Sequence, residues 1–170
     1  MAQIDIDERF KAVDDLIKRM NQFAPPENLS ATEFRADLAR LLVIAIVSAY
    51  EASVRATLIE YAKRHHDVFG CYIEANYEKL NAQIKVKQLK GLAKKFAPKL
   101  KEDFINELTR THHRFATGAH LDFCHAYCEL VKLRHRFAHA TTAVTTIEEA
   151  ERRHRVAKHV IYAFDRVFSE

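Results

Sequence analysis

Residues 130–140 read LVKLRHRFAHA, with Arg134, His135, Arg136 and His139 crowded into the end of an apolar run. At roughly 100° per residue, Leu121, Cys124, Tyr127, Cys128, Leu130, Val131, Leu133, Phe137 and Ala138 form one broad apolar arc, with Lys132, Arg136, His125 and Glu129 opposite. That one-sidedness predicts a helix from about His120 to Ala140. Arg134 falls near the middle of the arc. A guanidinium stays charged, so a core-facing arginine needs an acidic or hydrogen-bonding partner, or it lines a cleft.

The totals fit an all-helical chain. Its 170 residues contain only three Gly and three Pro. A β-sandwich or barrel needs a turn every 8 to 12 residues. The expected architecture is an all-α bundle of about five or six helices in one domain, 1–170, with an N-terminal helix over 4–22 and a core bundle over about 30–168. The apolar fraction of 48% and charged fraction of 29% are those of a globular protein rather than a disordered one. A net charge of +4 is compatible with a polyanionic partner and also with none. Cys71, Cys124 and Cys128 are odd in number and no signal-like segment leads the chain, so free thiols in a cytoplasmic setting are expected. The longest apolar run, Leu41 to Tyr50, is half of what a bilayer span needs, so no membrane is expected.

Along the chain, Ile4, Phe10, Val13, Leu16, Ile17 and Met20 recur at helical spacing, and Pro25-Pro26 ends that pattern. Ser30 to Glu33 has the form of a capping box and opens a long helix to about His66. In it Ile44, Val47, Val54, Leu58 and Tyr61 are expected to share a core face, which Glu51 interrupts. Two opposite charges on two apolar faces suggest a pair, so Glu51 is expected to meet Arg134; either head could instead run along a groove to water. Gly70 is expected to mark a turn, Tyr72 to Phe96 a weakly periodic helical stretch, Leu100 to Thr109 a short helix after Pro98, and Thr111 to Gly118 a connection. Thr146 to Glu149 offers a second capping box and a last helix to about Val167.

The segment from Lys85 to Lys101 holds seven lysines, of which Lys87, Lys90 and Lys94 share a helix face. Such a face is either simply solvated or in contact with phosphate, and only the second would show binding that weakens steeply with salt.

Metal binding is weighed because the chain has ten His and three Cys. His120, Cys124, His125 and Cys128 are close in sequence, but both cysteines fall on the apolar arc, where a thiol behaves as a small hydrophobe. The adjacent pairs His65-His66 and His112-His113 diverge on a helix. No metal and no cofactor are expected. Gly-rich phosphate loops, HExxH and GxSxG are absent from the sequence. What remains is RHRFAH, Arg134 to His139. Arg114 to His120 has a similar gap but lies in an expected loop.

In that context the chain resembles the HEPN ribonuclease superfamily, whose mark is Arg-x4–6-His on a late helix of an all-α bundle, usually with Asn, Asp or His after the Arg. Ser48-Ala49-Tyr50-Glu51 is similar to the family's earlier helix, whose acidic residue faces the motif. The order and spacing look most like stand-alone prokaryotic members of toxin–antitoxin and phage-defence loci. The Tyr of an adenylylated variant is here Thr141.

The resemblance implies a metal-independent endoribonuclease leaving a 2′,3′-cyclic phosphate. His139 would be general acid/base, Arg134 would stabilise phosphate charge, and His135 and Glu51 would orient them. It also implies a homodimer with a shared site, RNA as substrate, and an antitoxin protein as a further partner. Histidine suits proton transfer near neutral pH and arginine suits phosphate oxygens. Lys87, Lys90, Lys94 and Arg136 are the candidate RNA contacts. Five positions rotate a helix by roughly 140°, so Arg134 and His139 of one chain do not project together, and a two-fold axis could bring two pairs to one cleft. The alternative is a non-catalytic HEPN-like module that binds nucleotide, RNA or protein.

Overall fold

Seven helices, and no strand among the described residues, make up the computed structural model: α1 (Ala2–Phe23), α2 (Thr32–His65), α3 (Asp67–Asn76), α4 (Val86–Phe96), α5 (Pro98–Phe115), α6 (Phe123–Ala138) and α7 (Ile147–Ser169). The residues described are 2–27, 32–77, 83–115, 122–138 and 145–169. The fold is all-α, as expected, with a helix count slightly above five or six.

The extra helix comes from the expected Tyr72 to Phe96 stretch, which is two helices. Gly70 is not a turn. The break falls at His66, whose Nδ1 accepts from the Val68 amide at 3.1 Å and caps α3. Gly70 is buried inside α3, where a Cβ would lie 2.3 Å from Cγ of Lys63. Its missing side chain therefore lets α3 fold back closely on α2. The α5 helix is longer than expected. Pro98 takes its first position, where a missing N–H is harmless, and Thr111 to Phe115 continue it. Helix α7 starts as expected, with Thr146 Oγ1 accepting from the Glu149 amide at 3.1 Å. Ser30, the expected cap of α2, lies outside the described residues.

Helix α2 is the central post, packed against α1, α3, α6 and α7. It is long and apolar enough to cross a bilayer by length and composition, but half of its most apolar window is buried within the bundle. Its buried row runs through Leu42, Val43, Ile46, Val47, Tyr50, Val54 and Leu58. Ile44, expected inside, is 38% exposed; four helices around one post draw the core row from both flanks of the predicted stripe. Buried residues of all seven helices join in one apolar cluster.

The seam between α2 and α7 sets the register. Arg35 meets Glu148, Tyr50 meets His154 at 2.8 Å, Thr57 Oγ1 donates to Asp165 at 2.8 Å, and Arg64 donates to the Ser169 carbonyl at 3.1 Å. The partners rise together along both helices, so α2 and α7 are parallel. Helix α6 runs the other way. Phe123 at its start lies against His112, and α5 ends with Phe115 on His159, whereas Tyr127 stacks on Tyr50 at the level of His154.

Candidate functional site

Helix α6 rests on a buried aromatic column. Tyr127 stacks on Tyr50 at 5.2 Å and donates to the Ile84 carbonyl at 2.8 Å. Tyr50 shares a hydrogen bond with His154 Nδ1, and Phe10 closes the column edge-on at 5.7 Å from Tyr50. Burial sets the ionisation here. It drives both tyrosine hydroxyls well above their ordinary range and lowers His154 to about 4, with Lys158 adding to the latter. All three groups are therefore neutral at pH 7, and the column is a support, not an acid–base device. The sequence reading missed it, although Tyr50 and Tyr127 both lie on apolar faces and could have signalled it.

Above this column, Phe123, Ala126, Tyr127, Leu130, Val131 and Leu133 are buried, and Asp122 starts α6 by accepting from the Cys124 amide at 2.8 Å. On the outer side Glu129 and Lys132 pair at 2.8 Å; that hydrogen bond lowers the Glu129 carboxyl and raises Lys132. Arg134 occupies the last turn of α6 and is half-buried, at the edge of the core rather than inside it. Its side chain makes no ion pair or hydrogen bond with a described residue. His135 and Arg136 are exposed. His139 lies outside the described residues.

The expected pair of Glu51 and Arg134 does not form. Glu51 is half-buried, and its Oε1 has no hydrogen-bond partner among the described residues. The reason is register. Glu51 follows Tyr50 and is felt electrostatically by Tyr127, while Arg134 lies seven residues, about 10 Å of helix rise, beyond Tyr127. Because α6 is antiparallel to α2 and α7, that rise carries Arg134 away from Glu51, toward the start of α7. Two charges on facing stripes were legible in the sequence; their relative height was not.

The other candidates separate clearly. Lys87 and Lys94 are exposed and Lys90 half-buried on α4, whose Leu89, Leu92 and Ala93 face the core. None of the seven lysines from Lys85 to Lys101 pairs with a carboxylate among the described residues. Lys90 reaches the start of α6, where its charge acts on Cys124. Burial nonetheless raises the Cys124 thiol to about 11, so it is a protonated core group rather than a nucleophile. Among the described residues no three His, Cys, Asp or Glu side chains gather as a metal site would require.

An all-α bundle with Arg134 in the last turn of a core helix fits the HEPN resemblance drawn from the sequence. The family model RiboL-PSP-HEPN matches residues 4–170, nearly the whole chain. The protein belongs to the RiboL-PSP-HEPN family. No curated protein and no solved structure matches it.

Proposed function

We propose that this protein is a metal-independent HEPN endoribonuclease that acts as a homodimer with a shared site. One observation carries the reading beyond family membership: Arg134 is half-buried at the end of α6 with no side-chain partner among the described residues. A fixed cation held at the edge of a core without compensation is a place for an anion. His139, five positions on, supplies the proton-transfer group.

In this reading His139 takes the proton from a ribose 2′-OH. The 2′-oxygen attacks phosphorus, a P–O2′ bond forms as the P–O5′ bond breaks, and the leaving 5′-oxygen receives a proton from the second, protonated His139 of the shared site. Arg134 neutralises charge on the phosphorane, and His135 orients the motif. Glu51, held away from Arg134, acts through the Tyr50 and Tyr127 column that supports α6. Lys87, Lys90, Lys94 and Arg136 hold flanking phosphates. A setting in toxin–antitoxin or phage defence, with an antitoxin protein as partner, belongs to the same proposal.

The test is a fluorogenic RNA incubated with the pure protein in EDTA. Wild type is expected to cleave, and His139→Ala and Arg134→Ala to fall at least about 100-fold, with unchanged helical content. Salt-dependent binding without cleavage would move the protein to the non-catalytic alternative. Equal cleavage by His139→Ala would overturn the role of the motif.

A further inference from the structure

Away from α6, the ends of α3 and α4 enclose a groove of about 410 Å³, lined by Phe69, Tyr72, Tyr77, Lys95 and Phe96. That volume lies within the roughly 300–1,000 Å³ typical of small-molecule sites. Its floor is fixed from beneath. Phe96 meets Tyr61 at 5.7 Å and Phe168 at 5.6 Å, and Phe69 lies 5.9 Å from Phe96. Its rim is open, with Tyr72 61% exposed and Phe69 37% exposed. The Tyr72 side chain has no partner among the described residues; only its carbonyl is used, accepting from Asn76.

The groove adjoins the lysines. Lys95 lines it, Lys94 is its neighbour on α4, and Lys99 is exposed in the first turn of α5. None of them meets a carboxylate among the described residues. Exposed rings that can take a stacked base, next to cations that lack anions, are what single-stranded nucleic acid recognises. A duplex keeps its bases inside its own stack and offers no free face to Tyr72.

We propose that this groove is a base-stacking subsite for single-stranded RNA, remote from Arg134, with Tyr72 as the platform and Lys94 and Lys95 on the adjacent phosphates. This rests on the RNA reading above. The lysine row then continues from Lys95 to Lys90 and on to the start of α6. Helix rise along α4 and α6 together with the crossing between them makes the path from the groove to Arg134 on the order of 30 Å, or about eight to nine stacked nucleotides at ~3.4 Å each. A strand longer than that reaches the groove and Arg134 together, whereas a shorter one occupies one or the other.

The chain has no tryptophan, so Tyr72→Trp introduces a single reporter. A 2′-O-methylated single-stranded 12-mer, which lacks the attacking hydroxyl, is expected to quench its emission, and a duplex of the same sequence is not. Tyr72→Ala is expected to bind the 12-mer about tenfold or more weakly, while Tyr72→Phe, which keeps the ring, binds it as wild type does. If wild type binds the 12-mer but Tyr72→Ala matches it, or if the duplex quenches equally, the subsite is wrong and the RNA reading stands. If wild type binds no RNA at low salt, both fall.

Discussion

Helices α7 and α4 carry comparable positive charge and use it in opposite ways. On α7, four of the five cations touch a carboxylate: Arg152 and Arg153 share Glu149, Arg155 takes Glu151, and Arg166 takes Glu107. The five lysines from Lys85 to Lys95 touch none among the described residues. Three of these pairs lie within α7 itself at i,i+3 or i,i+4 spacing, and Arg166 reaches Glu107 of α5, beside the seam of buried polar contacts that fixes helix register. On α4, Lys87, Lys94 and Lys95 are exposed and Lys90 half-buried, and none of them has a carboxylate among the described residues. The difference separates cations already paired with carboxylates from cations left for a ligand, and the sequence carries part of it: α7 has four acids beside its five cations, whereas α4 has four lysines and no acid.

If that division is right, perturbing the seam should change stability without changing RNA binding, and perturbing α4 should do the reverse. The largest effect is expected from acid. His154 titrates at about 4 in the folded chain against 6.5 when unfolded, so above pH 6.5 it is neutral in both states and contributes no pH dependence. As pH falls from 6.5 toward 4 the unfolded chain binds the proton first, and folding loses up to about 3 kcal/mol. Denaturant titrations across that range should show the loss, and His154→Gln should flatten it even while lowering stability overall. An unchanged pH profile in that variant would remove His154 from the seam.

A smaller effect is expected on the other side. Replacing Lys87, Lys90 and Lys94 together by Gln should lower the slope of log binding constant against log salt by about 2, at roughly 0.7 per single-strand phosphate contact. The melting temperature should hold or rise, since like charges are relieved. A loss of stability instead would mean that these lysines belong to the fold after all.

The smallest effect concerns the two described helical glycines of α3 and α4. Gly91 is exposed with nothing within 4 Å of an added Cβ, so Gly91→Ala should stabilise by about 0.5–1 kcal/mol. Gly70→Ala should instead cost about 1 kcal/mol, because the methyl meets Lys63 and forces α3 off α2. Chemical denaturation of the two single variants checks the opposite signs.

Most of the fold was legible because local chemistry wrote it. The double proline after α1, the capping residues at Thr146 and the apolar spacing of α1, α2 and α7 act within a turn or two of themselves. Gly70 was misread because a glycine chosen for close helix approach looks in sequence like one chosen for a turn. The site was legible only as a motif. Arg134 stood out as a charge on an apolar arc, and it does sit at the edge of the core. Its height relative to Glu51 depends on the stacking of Tyr127 on Tyr50, a contact between residues 77 positions apart that no local pattern encodes. The groove of Phe69, Tyr72 and Phe96 was hidden for the same reason, since its rings come from separate helices.

The decisive experiment identifies the 3′ ends of RNA fragments produced by the pure protein in EDTA, by mass spectrometry, with His139→Ala beside it. Attack by the 2′-hydroxyl assisted by His139 leaves 2′,3′-cyclic phosphate ends from wild type and none from the variant. Fragments ending in 3′-hydroxyl, or the same cyclic ends from His139→Ala, would contradict the proposed endoribonuclease.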